Sequence, residues 1–532
     1  MQACNQNETI CFLGSPRAFG DCAGRARTVS THISVVLLLG SRALKLKRPV
    51  ALPYLDLSTP ERRLAMCERE LMLNRRTAPE LYRAVHRITR EGDGSLTLNG
   101  QGKLVDAVLE MKRFDDSLLF DRLAQERQLT SSDMAALATS IAEFHRSAAI
   151  AEGGDGAARM GRVLSVNERA FAATSLLAPA EVAQVNAACR TALTRHAGLL
   201  DQRARDGKVR RCHGDLHLRN ICMVDGKPLL FDCLEFDEDL ATTDVLYDLA
   251  FVLMDLWYRR RETLANALFN RYLDATGDEA GLRLLPFFMA VRAAVRAHVT
   301  AASATGNEPS SAWKLAEAQA YLELCLTLLE RRPPILVAIG GYSGSGKSTV
   351  AAAVAPKLGP APGARIAASD RLRKRLFGVS PETRLPEAAY SEEASARTYQ
   401  AMAEAAANAL SQDHAAIADA VFDRRIERDR ICEVARHAGV PFRGLWLDAP
   451  EEMLIRRVAE RLGDPSDATS EVIRAQLARK GAATDWTRLA AQADGRTVAD
   501  AAIAAIGAGT TVQAAWPAPA PASGTLSSSA IL

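Results

Sequence analysis

Residues 335–349 read ILVAIGGYSGSGKST. The unbroken apolar run that opens this stretch lacks the alternation of a half-exposed strand, so it predicts a strand buried on both faces of a parallel sheet. Gly341, Gly346, Lys347 and Ser348 follow at the spacing G-x-x-x-x-G-K-S. In that pattern glycines let backbone N–H groups turn inward on phosphate oxygens, here along Gly341, Ser343, Gly344, Ser345 and Gly346. Lys347 reaches the β and γ phosphates as a point charge, and the Ser348 hydroxyl is a magnesium ligand. Thr349 leads into an alanine-rich helix whose positive end faces the phosphates. The expectation is ATP bound with Mg2+.

Three later stretches fit the same site. AAIADAVF (415–422) places Asp419 at the end of a short apolar strand, where a carboxylate can hold magnesium or its water. SDRLRKRLFG (369–378) sets Asp370 three residues before Arg373, a pair suited to an acceptor hydroxyl or phosphate, although a solvated helix start reads the same way. After the strand-like GLWLDAP, the segment EEMLIRRVAERLGD resembles the arginine-bearing lid of small-molecule P-loop kinases, a resemblance that implies Arg457 and Arg461 as phosphate clamps, although a solvated helix reads the same way.

A second constellation lies at 213–236, HGDLHLRNICMVDGKPLLFDCLEF. A loop can present Asp215 to an acceptor hydroxyl while Asn220 turns back toward metal, and a hairpin turning at Asp225-Gly226 returns Asp232 to the same magnesium ions. His213 and His217 read as partners of the loop rather than bases. In ALKLKRP, Lys45 lies on a predicted strand two residues after Ala43, and Glu70 on the next helix can pair with it; Lys47 shares the strand face. VLEMKRFD (108–115) reads either as a hinge whose backbone at Glu110 and Met111 meets adenine or, equally, as a plain connecting strand.

At 532 residues the chain exceeds one hydrophobic core. Its 48% apolar and 24% charged residues, without a long uncharged apolar run, predict a globular protein that does not span a membrane. The first twenty residues lack a basic segment followed by an apolar run, which predicts a cytoplasmic address. The ten cysteines form no C-x-x-C pair, which argues against zinc and a disulfide framework, and Cys212, Cys222 and Cys233 read as core residues. A net charge of +3 implies no nucleic-acid partner.

By texture the chain divides into a poorly defined segment 1–30, a β-rich lobe and then a helical lobe over 31–332, an α/β region 333–512 opening at Arg331-Arg332-Pro333-Pro334, and an Ala/Pro/Ser tail 513–532. A hairpin is predicted around Gly40-Ser41, a helix from near Ser58 to Arg76 capped by S-T-P-E with Glu61 in the capping box, and helix from Ser117 to Arg205 with one break at Gly153-Gly154.

Residues 335–480 resemble the small-molecule and polynucleotide kinase branch of P-loop proteins, although Asp419-Ala-Val-Phe stands where relatives often carry Asp-Ala-Thr-Phe. Residues 32–325 look like the aminoglycoside phosphotransferase family, most densely from Arg211 to Tyr258, where TDVLYDLAFVLMDLWYR offers Asp248 as a buried carboxylate steadying the catalytic loop. The combination resembles a bacterial group described as bifunctional aminoglycoside phosphotransferase and ATP-binding proteins. The resemblance implies an α+β bilobal protein-kinase-like domain followed by an α/β P-loop domain with a mostly parallel sheet. It further implies transfer of the γ-phosphoryl group of ATP, at two sites, to small hydroxylated acceptors. Asp237, Glu238 and Asp239 offer acids for an amine-bearing acceptor, although a solvated loop explains them too. Alternatively, one domain is an ATP-binding regulator of the other, or the C-terminal domain is a polynucleotide 5′-end kinase. That last reading wants a basic stripe with aromatics, and only 5% of the chain is aromatic.

Overall fold

A computed structural model describes residues 6–20, 27–31, 33–52, 55–304, 309–460, 466–479 and 485–507. The chain packs as two units. One holds the residues up to Arg259 together with Val291–Cys325; the other holds Arg260–Ala290 and the described residues from Leu326 onward. This grouping differs from a cut at 332, because residues 260–290 pack with the glycine-loop sheet.

The first unit opens on a six-stranded antiparallel sheet. Its strands are β1 (Arg27–Ser30), β2 (Ser34–Leu39), β3 (Arg42–Lys47), β4 (Tyr82–Arg90), β5 (Leu96–Leu98) and β6 (Lys103–Lys112), in spatial order β1-β2-β3-β6-β4-β5. The predicted hairpin at Gly40-Ser41 joins β2 to β3, with Leu39 opposite Arg42. Strand alternation sorts β3 into two faces. Leu44 and Leu46 join Val35, Leu37, Leu39, Ile88 and Val108 in one apolar cluster, while Ala43 joins a second with Cys67, Leu109 and Met111.

Two short helices, Asn7–Leu13 and Pro16–Phe19, supply Ile10, Leu13 and Phe19 to the first cluster. Within residues 6–20 this replaces the expectation of a poorly defined segment, while residues 1–5 and 21–26 of that segment lie outside the described residues. So few apolar side chains spread over two short helices leave no period to read, but together they cover one face of the sheet.

The helix expected after Ser58 runs Pro60–Asn74, with Thr59 as its cap, accepting from Arg62 N. The start thus falls one residue later than a box built on Glu61 requires. The helical lobe has three breaks rather than one: its helices are Phe120–Gln125, Ser131–Ser147, Gly156–Ala172 and Pro179–Arg205. Thr130 and Asp133 form a full capping box, and Pro179 occupies the first turn of the last helix, so each restart carries its own local signal. Helix Val245–Tyr258 is buried along its whole length.

The second unit is built on five parallel strands, β7 (Leu336–Gly340), β8 (Arg365–Ala368), β9 (Ala416–Asp419), β10 (Phe442–Asp448) and β11 (Thr487–Ala490), in the order β8-β9-β7-β10-β11. The central β7 is fully buried, as its apolar run predicts, and the helix Lys347–Val354 packs Val350 and Val354 against Val337, Ile339 and Ile366. Helix Glu262–Thr276 covers the β8 edge. Asn266 and Asn270 Nδ2 donate to Ala364 O (3.1 and 3.2 Å), and Asn270 Oδ1 accepts from Ile366 N at 2.7 Å. Buried Arg365 is held by Asp274 (2.7 Å) and Glu279 (3.2 Å). Side chains therefore satisfy an edge that would otherwise leave backbone groups unpaired. Among the described residues one helix, Glu279–Ala302, is long and apolar enough to cross a membrane, and 83% of its apolar window is buried inside the protein. The proposed tail 513–532 lies outside the described residues.

Candidate active sites

In the first unit, alternation along β3 turns Lys45 and Lys47 to the same side as Ala43, toward helix Pro60–Asn74. Lys45 Nζ lies 2.8 Å from Glu70 Oε1 and 2.7 Å from Asp232 Oδ1. Lys47, fully buried, lies 2.5 Å from Glu70 Oε2 and 2.6 Å from Glu235 Oε1. Burial alone would raise the Glu70 carboxyl, but the two lysines outweigh it and hold the group at about 2. Glu70 is thus an anion shared by two cations. Glu235 was not among the candidates; its only sequence signal is its place three residues after Asp232.

The loop after Val209–Arg211 brings the remaining groups in. Asn220 Nδ2 donates to Asp215 Oδ2 at 2.8 Å and to the Asp215 carbonyl at 2.9 Å. His217 Nε2 stands 3.3 Å from the same carboxylate oxygen. Burial works to raise the Asp215 carboxyl, yet His217 and His213 keep it below its usual range, so it stays an anion. The predicted hairpin forms from Ile221–Val224 and Lys227–Leu230, with Asp225 and Gly226 both at positive φ (50° and 75°), as a two-residue turn of this type requires. Asp232 follows at φ 61°, its N–H donating to Tyr82 Oη at 3.1 Å.

Beneath the loop, fully buried Asp248 accepts from His213 N (3.1 Å), Gly214 N (2.8 Å) and His145 Nε2 (3.1 Å). This is the steadying position expected for it. Burial opposes its ionisation, but His145, His213 and Arg292 hold it at about 2. Cys212, Cys222 and Cys233 are buried, as their core reading requires.

Glu110 and Met111 need correction as free hinge backbone. Both sit inside the ladder, opposite Leu44 and Ala84 and opposite Ala43 and Tyr82 respectively, so their backbone groups serve neighbouring strands. The chain leaves β6 only after Lys112. The Glu110 carboxylate is taken by Arg42 (3.0 Å) and His86 (2.8 Å), and Met111 packs with Ala43, Cys222 and Phe231 in an apolar cluster that Val36 flanks. Asp237 caps a short helix, accepting from Leu240 N, and Glu238 pairs with Arg69 at 2.9 Å.

In the second unit the glycine loop links β7 to helix Lys347–Val354. Close approach explains two of its glycines: a Cβ on Gly341 would lie 2.7 Å from Leu447 O, and one on Gly344 would lie 2.6 Å from Leu454 O. Ser343 is clamped by Gln476, whose Oε1 accepts from Ser343 N (3.0 Å) while its Nε2 donates to Ser343 Oγ (3.1 Å). Gln476 was not foreseen, since nothing local marks it.

Lys347 Nζ donates to Tyr342 O at 3.1 Å, and Ser348 Oγ donates to Asp419 Oδ2 at 2.7 Å. Gly346, Thr349, Asp370, Arg373 and Arg457 line the same cavity of about 840 Å³. Burial and the Asp419 carboxylate push the Asp370 carboxyl above the ordinary carboxylate range. Arg461 lies outside the described residues.

Both centres offer hard oxygen donors for magnesium, Asn220 and Asp232 in one, Ser348 and Asp419 in the other. The Ser348–Asp419 hydrogen bond shows that hydroxyl and carboxylate already converge.

Residues 60–285 match the Phosphotransferase enzyme family, and residues 336–482 match an AAA domain. The chain carries a phosphotransferase domain followed by a P-loop kinase-like domain. An uncharacterized protein of Mycobacterium tuberculosis is 29% identical over 468 residues, covering 86% of this chain and 90% of that protein. Among solved structures, a choline/ethanolamine kinase family protein from Mesorhizobium loti is 13% identical, covering 61% of this chain and 98% of its own, with a TM-score of 0.37. A gluconokinase from Sinorhizobium meliloti is 22% identical, covering 33% of this chain and 94% of its own, with a TM-score of 0.25. The kinase-like α+β fold comes first and the parallel P-loop fold second, and the phosphotransferase match belongs to the first.

Proposed function

We propose that this chain is an ATP-dependent phosphotransferase with two nucleotide sites, each transferring the γ-phosphoryl group to a hydroxyl of a small acceptor. The observation that carries this reading is the convergence of Lys45, Glu70 and Asp232 within 2.8 Å in the same unit as the Asp215–Asn220 pair. In the first centre Lys45, steadied by Glu70, holds nucleotide phosphate, Asn220 and Asp232 hold magnesium, and Asp215 accepts the hydrogen bond of the acceptor hydroxyl and orients it. In the second, the amides of the glycine loop and Lys347 hold phosphate, Ser348 and Asp419 hold magnesium, Asp370 orients the acceptor, and Arg457 balances charge on the phosphoryl group in transit. Magnesium, when bound with ATP, supplies positive charge between the phosphates.

All eight described cysteines are free, which supports placing the enzyme in the reducing cytoplasm. The test is acceptor-dependent ADP release by the whole chain with magnesium and ATP over a panel of sugars, nucleosides and amino sugars. Release above the acceptor-free rate with at least one compound is expected; none across the panel sinks the reading.

A further inference from the structure

The first unit carries a second ion pair beside the Lys45 cluster, and one of its members is wholly enclosed. Lys47 has no exposed side-chain surface, and its Nζ lies 2.5 Å from Glu70 Oε2 and 2.6 Å from Glu235 Oε1. It follows Lys45 by two residues on β3 and so shares its face. Glu235 follows Asp232 by three residues. Two rungs therefore cross from the strand to the segment 232–235, Lys45 to Asp232 and Lys47 to Glu235, and Glu70 lies against the lysine of each.

That segment is held in place from outside. Residues 231–235 belong to no helix or strand. Phe231 N donates to Asn220 O at 3.0 Å, Asp232 N to Tyr82 Oη at 3.1 Å, Cys233 N to Asn74 Oδ1 at 2.8 Å and Leu234 N to His213 O at 2.9 Å. Asp232 itself lies at φ 61°, a conformation that a residue with a side chain keeps only where its surroundings impose it. Glu235 adds a charged tie to β3 at the far end of this strip.

The two rungs cannot do the same work. With Lys45 assigned to phosphate and Asp232 to magnesium, the first rung has to open when nucleotide and metal arrive. Lys47 presents no surface to a phosphate, so the second rung stays closed. A buried ion pair is also a poor source of stability, because desolvation offsets the attraction and apolar side chains of similar volume pack as well. What the charges add is register, one lysine opposite one acid.

We propose that Lys47 and Glu235 are positioning residues of the first centre: their closed ion pair keeps Asp232 aligned for magnesium once Lys45 has turned to the nucleotide. This rests on the reading of that centre as a nucleotide site.

The test uses the full chain carrying Lys347→Ala, which silences the glycine-loop site. A non-hydrolysable ATP analogue is titrated calorimetrically with magnesium and with a chelator, and thermal unfolding is recorded for each variant. The ratio of the two affinities is the magnesium gain. Lys47→Met combined with Glu235→Leu replaces the pair by apolar side chains. This double variant should stay folded, keep its metal-free affinity and lose on the order of ten- to hundredfold of the magnesium gain, as when a residue supporting a metal ligand is removed. Glu235→Gln, which leaves Lys47 on Glu70, should lose a smaller part of the gain.

A folded double variant that retains the full gain overturns the proposal, because the pair then only packs. Equal losses with and without magnesium overturn it too, since they place the pair in support of Lys45 rather than Asp232. If the double variant does not fold, Glu235→Gln decides by the same two criteria, and unfolding of both variants marks the pair as structural and overturns the proposal. Binding of the analogue without any magnesium gain in the Lys347→Ala chain leaves the nucleotide site standing and removes the proposal alone. No binding at all in that chain removes both.

Discussion

Replacing Asp248 with asparagine isolates the support beneath the catalytic loop. The wild-type carboxylate accepts from two successive backbone amides, His213 and Gly214, and from His145, all within 3.1 Å and away from water. An asparagine of the same shape keeps one carbonyl oxygen and turns an NH2 group toward donors, so one or two charge-assisted bonds are lost and a donor is left facing a donor. At about 1.5–3 kcal/mol for a hydrogen bond to a charged group, the loss should be roughly 2–4 kcal/mol.

The titration of the same group gives a second estimate. Its pKa falls from 3.8 to about 2 on folding, which corresponds to about 2 kcal/mol of stability. Because the folded pKa is the lower one, this contribution is complete above about pH 4 and disappears as pH drops through 2. Urea unfolding of the first unit should therefore show a loss of that size at pH 7 and a shallower decline between pH 4 and 2. Hydrogen exchange at residues 213–216 should accelerate in parallel. A loss below about 1 kcal/mol with an unchanged acid limb would refute the assignment of Asp248 as the support of the loop.

Other perturbations separate local from long-range claims. Both Gly344 (φ 88°) and Gly346 (φ 93°) strain an alanine, but Gly344→Ala also forces a Cβ to 2.6 Å from Leu454 O and should abolish nucleotide binding at the glycine loop in an equilibrium titration, whereas Gly346→Ala adds no clash closer than Arg457 at 4.0 Å and should retain weakened binding. Glu70→Gln leaves Lys45 and Lys47 without their shared anion and should cost about 3–5 kcal/mol in denaturant unfolding of the first unit. A fragment of residues 333–532 lacks Asn270, Asp274 and Glu279, which hold Arg365 and the β8 edge, so light scattering should show it aggregating where the whole chain does not.

The features legible in the sequence are those whose physics is local. The glycine loop is written in consecutive residues, the turn at Asp225-Gly226 needs only two residues that tolerate positive φ, and the inward face of β3 follows from alternation. The pairing of Lys45 with Glu70 was readable because a strand and the next helix bring them together. What escaped depends on distant partners. Gln476 reaches Ser343 across 133 positions, and Glu235 is identified only by the lysine it meets. The helix Glu262–Thr276 gives no sign in its own sequence that Asn266 and Asn270 serve a sheet edge a hundred residues later. The hinge was misplaced for a related reason: Glu110 and Met111 look like the end of a strand, but ladder partners on both sides keep their backbone inside the sheet.

The central claim, that this chain has two nucleotide sites, is tested most directly by counting them. Calorimetric titration of the whole chain with a non-hydrolysable ATP analogue and magnesium should give two molecules bound per chain. It should give one in Lys347→Ala and one in Asp232→Asn. A wild-type count of one, or a count of two that survives both changes, would contradict the account.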